Sequence, residues 1–438
     1  MLFRKIQKKL DDWFDSNNNR ILLINGARQV GKTYIIRFCG KKRFPNFIEI
    51  NMLEDAEHER RFANVHRVED FYLQLSMIAG ERMQRKDDTL VFIDEIQAYP
   101  HLFTLLKFLR EDDRFTYIAS GSLLGVTLAQ TSSIPIGSIS LMEMYPLDFE
   151  EFLYANGFSF QALEILKKRF DNLESLDEST HNNLMDLFRR YLLIGGLPDA
   201  VNVWIDSNNL MSVRQIQNDI HDFYAADAGK YDRDHRLKIR RIYEMIPSAL
   251  ENKKKRIVIQ QIDGIKGKTY QNYADEFEYL ISAGIALEVR AVSTPVFPLT
   301  ENSTKNLLKL YLNDIGILTS LLYHTNANAI INDVSSINLG TVYEAVVASE
   351  LRAHGHRLFY YDNRKKGEVD FLTDDYDTLS VLPIEVKSGK DYYIHRALDV
   401  FITNDDYPVK KGMVLSNERI IREENGITYL PVYMVMFI

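Results

Sequence analysis

The segment Gly26-Ala27-Arg28-Gln29-Val30-Gly31-Lys32-Thr33 limits what this chain can fold into more than any other stretch. It has the form GxxxxGK[ST] and follows Ile21-Leu22-Leu23-Ile24, a short apolar run suited to a buried parallel strand. A glycine turn between a strand and a helix lets successive backbone N–H groups converge on an anion, and the positive end of the helix faces the same point. In that setting Lys32 reaches the terminal phosphates of a nucleotide and the Thr33 hydroxyl is a Mg²⁺ ligand. All eight residues are therefore expected to bind ATP.

A second strand-like run, Leu90-Val91-Phe92-Ile93, ends in Asp94-Glu95. An acid at the end of a buried strand beside the loop strand can hold Mg²⁺, which is the role expected of Asp94. Glu95 can then orient and deprotonate an attacking water. The run Phe115–Ala119 ends at Ser120-Gly121-Ser122. Strands alternating with helices predict a doubly wound parallel sheet whose site lies at the strands' carboxyl ends.

GARQVGKT, VFIDEIQ and TYIASGS together resemble the AAA+ superfamily, and more narrowly the prokaryotic archaeal-ATPase type related to the signal-transduction (STAND) NTPases. The resemblance implies that Ser120 or Ser122 senses the γ-phosphate. It also implies that Tyr145–Leu153 enters a helical lid, and that Pro198, in Gly195-Gly196-Leu197-Pro198, lies near the adenine. Arg110 and Arg114 are the candidate arginine fingers if the protein oligomerises.

Further along, Glu368-Val369-Asp370-Phe371 and Ile384-Glu385-Val386-Lys387 resemble the signature of PD-(D/E)xK nucleases. The resemblance implies that Asp370 and Glu385 bind Mg²⁺, that Lys387 stabilises the attacking water, and that Glu344 adds a third acid from the preceding helix. Residues 236–310 carry 13 Lys/Arg against 8 Asp/Glu. There, helix-like stretches lead into a hairpin through Pro295, which resembles a winged helix, with Lys253-Lys254-Lys255-Arg256 as candidate contacts to DNA phosphates.

These pieces give an α/β chain of four parts: a P-loop AAA+ ATPase core over 1–147, a helical lid over 148–235, a winged-helix-like domain over 236–308, and a restriction-endonuclease-like domain over 309–438. A length of 438 residues accommodates several domains. With 53 Lys/Arg and 61 Asp/Glu the net charge is −8, which excludes a globally basic nucleic-acid coat. A lone cysteine, Cys39, excludes an internal disulfide and a cysteine-based zinc site. The absence of a long apolar run and of a signal-peptide pattern predicts a cytoplasmic protein without a membrane partner. Two functions compete on this sequence. One is an ATP hydrolase acting on DNA through a winged helix and a Mg²⁺-dependent nuclease-like domain. The other is a STAND-like, ATP-controlled switch that binds a protein partner, its nuclease fold inactive.

Overall fold

The computed structural model describes every residue except 1, 17, 123–136, 228–232, 253, 332–338, 364–366, 390–392, 405 and 408. The described chain divides into two compact units. One comprises Phe3–Tyr145 with Glu278–Gly284, and the other is built from Pro146–Phe277 and Ile285–Ile438. No helix among the described residues is long and apolar enough to cross a membrane.

The amino-terminal unit holds β1 (Ile21–Asn25), β2 (Asn46–Asn51), β3 (Thr89–Asp94), β4 (Thr116–Gly121) and β5 (Ile139–Glu143) in the order β2-β3-β4-β1-β5. Every neighbouring pair is parallel. The uninterrupted apolar runs of the sequence become strands covered on both faces, and all six residues of β3 are buried. Helices Val68–Ala79 and Leu102–Asp112 supply Phe71, Leu75, Phe103 and Leu106 to a core shared with Val91 and Ile93. Each such side chain is worth roughly 1.5–3 kcal/mol when buried. One expectation is corrected here. β3 is not beside β1, because β4 lies between them. Chain order shows that the strands exist, but the crossover helices decide which of them touch.

The second unit begins with five helices, Phe149–Ala155, Phe160–Asp171, Glu178–Ile194, Pro198–Ser207 and Leu210–Asp227. Asp148 starts the first with a reciprocal cap. Its side chain accepts from Glu151 N–H at 2.9 Å, and Glu151 in turn accepts from Asp148 N–H at 3.4 Å. The helices Arg233–Glu251 and Gln260–Asp263 follow, and then an antiparallel hairpin of β6 (Ala286–Val292) and β7 (Ser303–Leu312). Helices followed by a hairpin were expected, but an isolated wing was not found. β6 pairs in parallel with β8 (Phe359–Asn363), so the hairpin forms one edge of an eight-stranded sheet. Its other members are β9 (Gly367–Asp375), β10 (Ser380–Val386), β11 (Gly412–Ser416), β12 (Arg422–Glu424) and β13 (Ile427–Pro431), in the order β12-β13-β11-β10-β9-β8-β6-β7. A boundary at 308 would cut β7. The physical reason is that β6 has a free side on which β8 completes the backbone hydrogen bonds. β13 stops at Pro431 and turns into the tight helix Val432–Phe437, because proline has no N–H for the ladder.

Between the helices Glu178–Ile194 and Pro198–Ser207, the chain passes through Gly195-Gly196 with no room for side chains. A Cβ on Gly196 would lie 2.0 Å from the Leu147 carbonyl oxygen. The fully buried Asp314 fixes this turn, accepting from Gly196 N–H at 2.7 Å and from Ile317 N–H at 3.0 Å. Arg214, also buried, donates to the carbonyls of Leu193 and Gly316, each at 3.1 Å. Pro198 occupies the first turn of its helix, where its missing N–H costs nothing. Packing within this unit accounts for the glycines by itself.

Burial raises the Asp314 carboxyl to about 6, against roughly 3.9 for an unfolded aspartate. The folded protein therefore holds a proton there that the unfolded chain releases. The group's contribution to stability is full below pH ~4 and is lost as pH rises through about 6. Asp314→Asn cannot titrate, so the stability of the parent relative to this variant should fall by about 2 kcal/mol between pH 4 and 7. Denaturation of both proteins across that range is the measurement, and parallel curves would contradict it.

Candidate functional site

The phosphate loop runs from the end of β1 into the helix Lys32–Arg43. Gly31 precedes this helix at φ 94°, a left-handed conformation that favours glycine. Gly26 passes so close to Met144 that a Cβ there would lie 2.2 Å from its carbonyl oxygen. Ala27 and Val30 are buried and anchor the loop, and Gln29 adopts φ 65°. The Lys32 ammonium folds back on the loop, donating at 2.8 Å to the carbonyls of both Gly26 and Ala27. Burial lowers Lys32 to about 8, with Glu95 and Asp94 opposing the shift. Nucleotide phosphates arriving at the loop would strengthen that opposition.

Asp94 is the hub. One of its oxygens accepts from the Thr33 hydroxyl at 2.9 Å, and the other accepts from the Ser120 hydroxyl and, at 3.1 Å, from Glu95 N–H. β4 lies between β1 and β3, so Ser120 reaches Asp94 across a single strand spacing. Ser122 sits elsewhere in the site, accepting from Arg28 Nε at 3.4 Å and from Gln97 Nε2 at 3.3 Å. Of the two candidate serines, only Ser120 contacts the acid. Glu95 stands at φ 53°, an unusual conformation for a residue with a side chain, and its carboxylate accepts from the Gln97 amide. Thr33 and Asp94 together offer hard oxygen donors within hydrogen-bonding distance of each other, a donor set that suits Mg²⁺. The finger candidates have local roles: Arg110 donates to Asn19 at 3.2 Å, and the Arg114 guanidinium covers the Tyr72 ring at 4.7 Å. Pro198 belongs to the second unit.

In that second unit the expected acids do converge. β9 and β10 are antiparallel with Ile384 opposite Phe371, so Glu385 stands opposite Asp370 and both share one face of the sheet. Asp370 accepts from Val386 N–H at 2.9 Å. Glu385 pairs with Lys387 at 2.7 Å through one oxygen, while its other oxygen is buried without a hydrogen-bond partner among the described residues. Burial and then the Asp370 charge raise Glu385 to about 8, against the pull of Lys387. Glu344 approaches from the helix Gly340–Ala353, and burial and Asp370 push its carboxyl up as well.

Two lysines that the sequence did not assign to this cluster enter it. Lys255 pairs with Glu344, and the buried Lys309 pairs with Glu368 while lying 4.5 Å over the Tyr360 ring. Four acids thus meet three lysines. The oxygen donors are of the type Mg²⁺ prefers, but Glu344 and Glu385 already face ammonium groups. Among the described residues no group of three or more His, Cys, Asp or Glu side chains is arranged to hold a metal ion. Among the described residues these side chains form an ion-paired network. The basic run is corrected at the same time. Lys255 and Arg256 turn inward onto Glu344 and Asp362, Lys254 stays exposed, and Lys253 lies outside the described residues. The buried Glu344 needs a partner, which Lys255 supplies, while Arg256 pairs with the more exposed Asp362.

Residues 18–153 match a family described as an AAA domain, while 185–328 and 339–435 match two different domains of unknown function. An uncharacterized protein of Methanocaldococcus jannaschii is 22% identical over 97% of this chain and 86% of its own length. A Walker-type ATPase of Pyrococcus abyssi aligns at 13% identity over 74% of this chain and 96% of that one, with a TM-score of 0.45. The ORC2 protein of Aeropyrum pernix aligns at 15% identity over 76% and 95%, with a TM-score of 0.35. The phosphate loop, the acid at the end of β3 and the AAA match together make the amino-terminal unit a P-loop ATPase domain.

Removing Lys255 strands a buried carboxylate. Lys255→Met should lower the unfolding free energy by about 3–5 kcal/mol, the usual consequence of leaving one charge of a buried pair alone. Adding Glu344→Gln should restore most of that loss in urea denaturation. Equal stability of Lys255→Met and the parent protein would show that the pair does not form.

Proposed function

We propose that this protein hydrolyses ATP at the loop of its amino-terminal unit and uses the cycle to control what its second unit binds. The observation that carries the first half is the pair of contacts on Asp94, with Thr33 on one oxygen and Ser120 on the other. Simple phosphate binding needs the loop alone. An acid tied to both the loop threonine and a polar residue on the next strand, with Glu95 beside it, is the arrangement that supports hydrolysis.

In this reading the loop N–H groups and Lys32 hold the β- and γ-phosphates, and Ser120 senses the γ-phosphate. Thr33 and Asp94 would hold Mg²⁺, which when bound supplies positive charge to the phosphate oxygens. Glu95 orients the attacking water and accepts its proton. Lys32→Ala should reduce nucleotide binding by at least about tenfold, since it removes the buried charge that faces the phosphates. Glu95→Gln should keep binding and lose about 100-fold or more in turnover. Fluorescent-nucleotide binding and phosphate release separate the two, and normal turnover in Glu95→Gln would rule out this base.

For the second unit, the lysines paired with Glu344 and Glu385 favour a binding role over Mg²⁺-dependent cleavage. This is the ATP-controlled switch, whose partner is a protein, DNA being the partner of the other reading. Nicking of supercoiled DNA in Mg²⁺ should be absent in the parent and in Asp370→Ala alike. Nicking by the parent that disappears in Asp370→Ala would instead establish a nuclease. ATP turnover measured with and without DNA at two salt concentrations then distinguishes the partners, because a phosphate-backbone interaction weakens steeply with salt.

A further inference from the structure

Gln97 makes contacts in the nucleotide site that none of the roles above explains. It sits in the tight turn Ile96–Ala98 just after β3, held by Ala98 N–H to the Glu95 carbonyl at 3.0 Å and by the fully buried Ile96. Its amide nitrogen donates to the Glu95 carboxylate and, at 3.3 Å, to the Ser122 hydroxyl. Ser122 also accepts from Arg28 of the phosphate loop at 3.4 Å. The side chain therefore links the base to the loop that holds the phosphates.

The orientation of the amide follows from chemistry. A carboxylate only accepts hydrogen bonds, so the nitrogen must face Glu95, and the opposite flip would set two oxygens against each other. The Gln97 amide oxygen is then fixed on the other side, where it is buried with no donor among the described residues. An unsatisfied buried amide oxygen costs about 1–3 kcal/mol, and a water molecule with polar partners removes that cost. Such a water would stand one amide group away from the carboxylate assigned as the base.

We propose that Gln97 is a catalytic residue that holds the attacking water jointly with Glu95. The proposal rests on the reading of Glu95 as the base. One water hydrogen is donated to the Gln97 amide oxygen and the other to Glu95. In the reaction the water oxygen forms the bond to the γ-phosphorus and its proton passes to the Glu95 carboxylate. The bridging bond to the β-phosphate breaks, and its electron pair stays on ADP. Gln97 is unchanged, and its second contact, to Ser122, keeps the amide from turning away.

The test is steady-state ATP hydrolysis by the full-length parent, Gln97→Ala, Gln97→Glu, Glu95→Gln and the double variant Gln97→Ala/Glu95→Gln. Gln97→Glu keeps the volume but presents an acceptor to the Glu95 carboxylate, so a purely space-filling role would tolerate it. Both Gln97 variants should lower kcat by about 10- to 100-fold while KM and binding of a fluorescent ATP analogue change less than about twofold. In the Glu95→Gln background, Gln97→Ala should add little further loss, because both residues act on one water. Wild-type kcat in the Gln97 variants, with Glu95→Gln impaired, would overturn this proposal alone. An equal loss from Gln97→Ala in both backgrounds would also overturn it. Full turnover in Glu95→Gln would remove the base itself, and this proposal with it.

Discussion

The amino-terminal unit depends on what surrounds one carboxylate. Asp94 is almost fully buried, and an ionised acid in that position is tolerable only with hydrogen bonds on both oxygens. Thr33, Ser120 and the Glu95 amide provide them. Those three donors come from the helix that follows the phosphate loop, from β4 and from the turn after β3. The need to stabilise one buried charge therefore sets the mutual positions of the loop, Ser120 and Glu95. The strand order matters for the same reason. With β4 between β1 and β3, a hydroxyl on the middle strand can reach an acid on the next.

The second unit applies the same physics to more acids. Asp314 holds the Gly195-Gly196 turn through backbone N–H groups. Glu350 accepts from Phe149 N–H at 2.8 Å and from the Tyr191 hydroxyl at 3.1 Å, which joins the start of one helix to the last turn of another. Glu344 and Glu385 take lysines instead. A hydrogen-bonded acid of the first kind fixes backbone geometry. An ion-paired acid of the second kind neutralises a site that would otherwise attract a cation.

Much of this was legible in the sequence, and what was missed has a consistent cause. The phosphate loop, the acids ending β3 and the strands of the C-terminal sheet follow from short contiguous patterns. The shared face of Asp370 and Glu385 also follows, since side chains alternate along paired strands. Reading Lys253–Arg256 as a surface patch failed for Lys255 and Arg256, because a run of cations looks the same whether it faces water or acids from distant segments. The glycines before Pro198 suggested a ligand contact, yet they are explained by Asp314 and Leu147 pressing against the turn. Gln97 lay in plain view two residues after Glu95, and nothing local distinguished it from any other polar residue in a turn.

The sequence by itself determined that this chain has a nucleotide loop followed by a strand ending in two acids. That chemistry is built from the backbone conformation of adjacent residues, and glycine, lysine and threonine at fixed spacing impose it. Only the tertiary structure decided which charges neutralise each other and which strand separates the loop from its acid. Lys255 and Glu344 are 89 residues apart along the chain and meet as a buried pair. A charge is set by its surroundings, and those surroundings come from distant segments brought together by packing rather than from neighbours in the sequence.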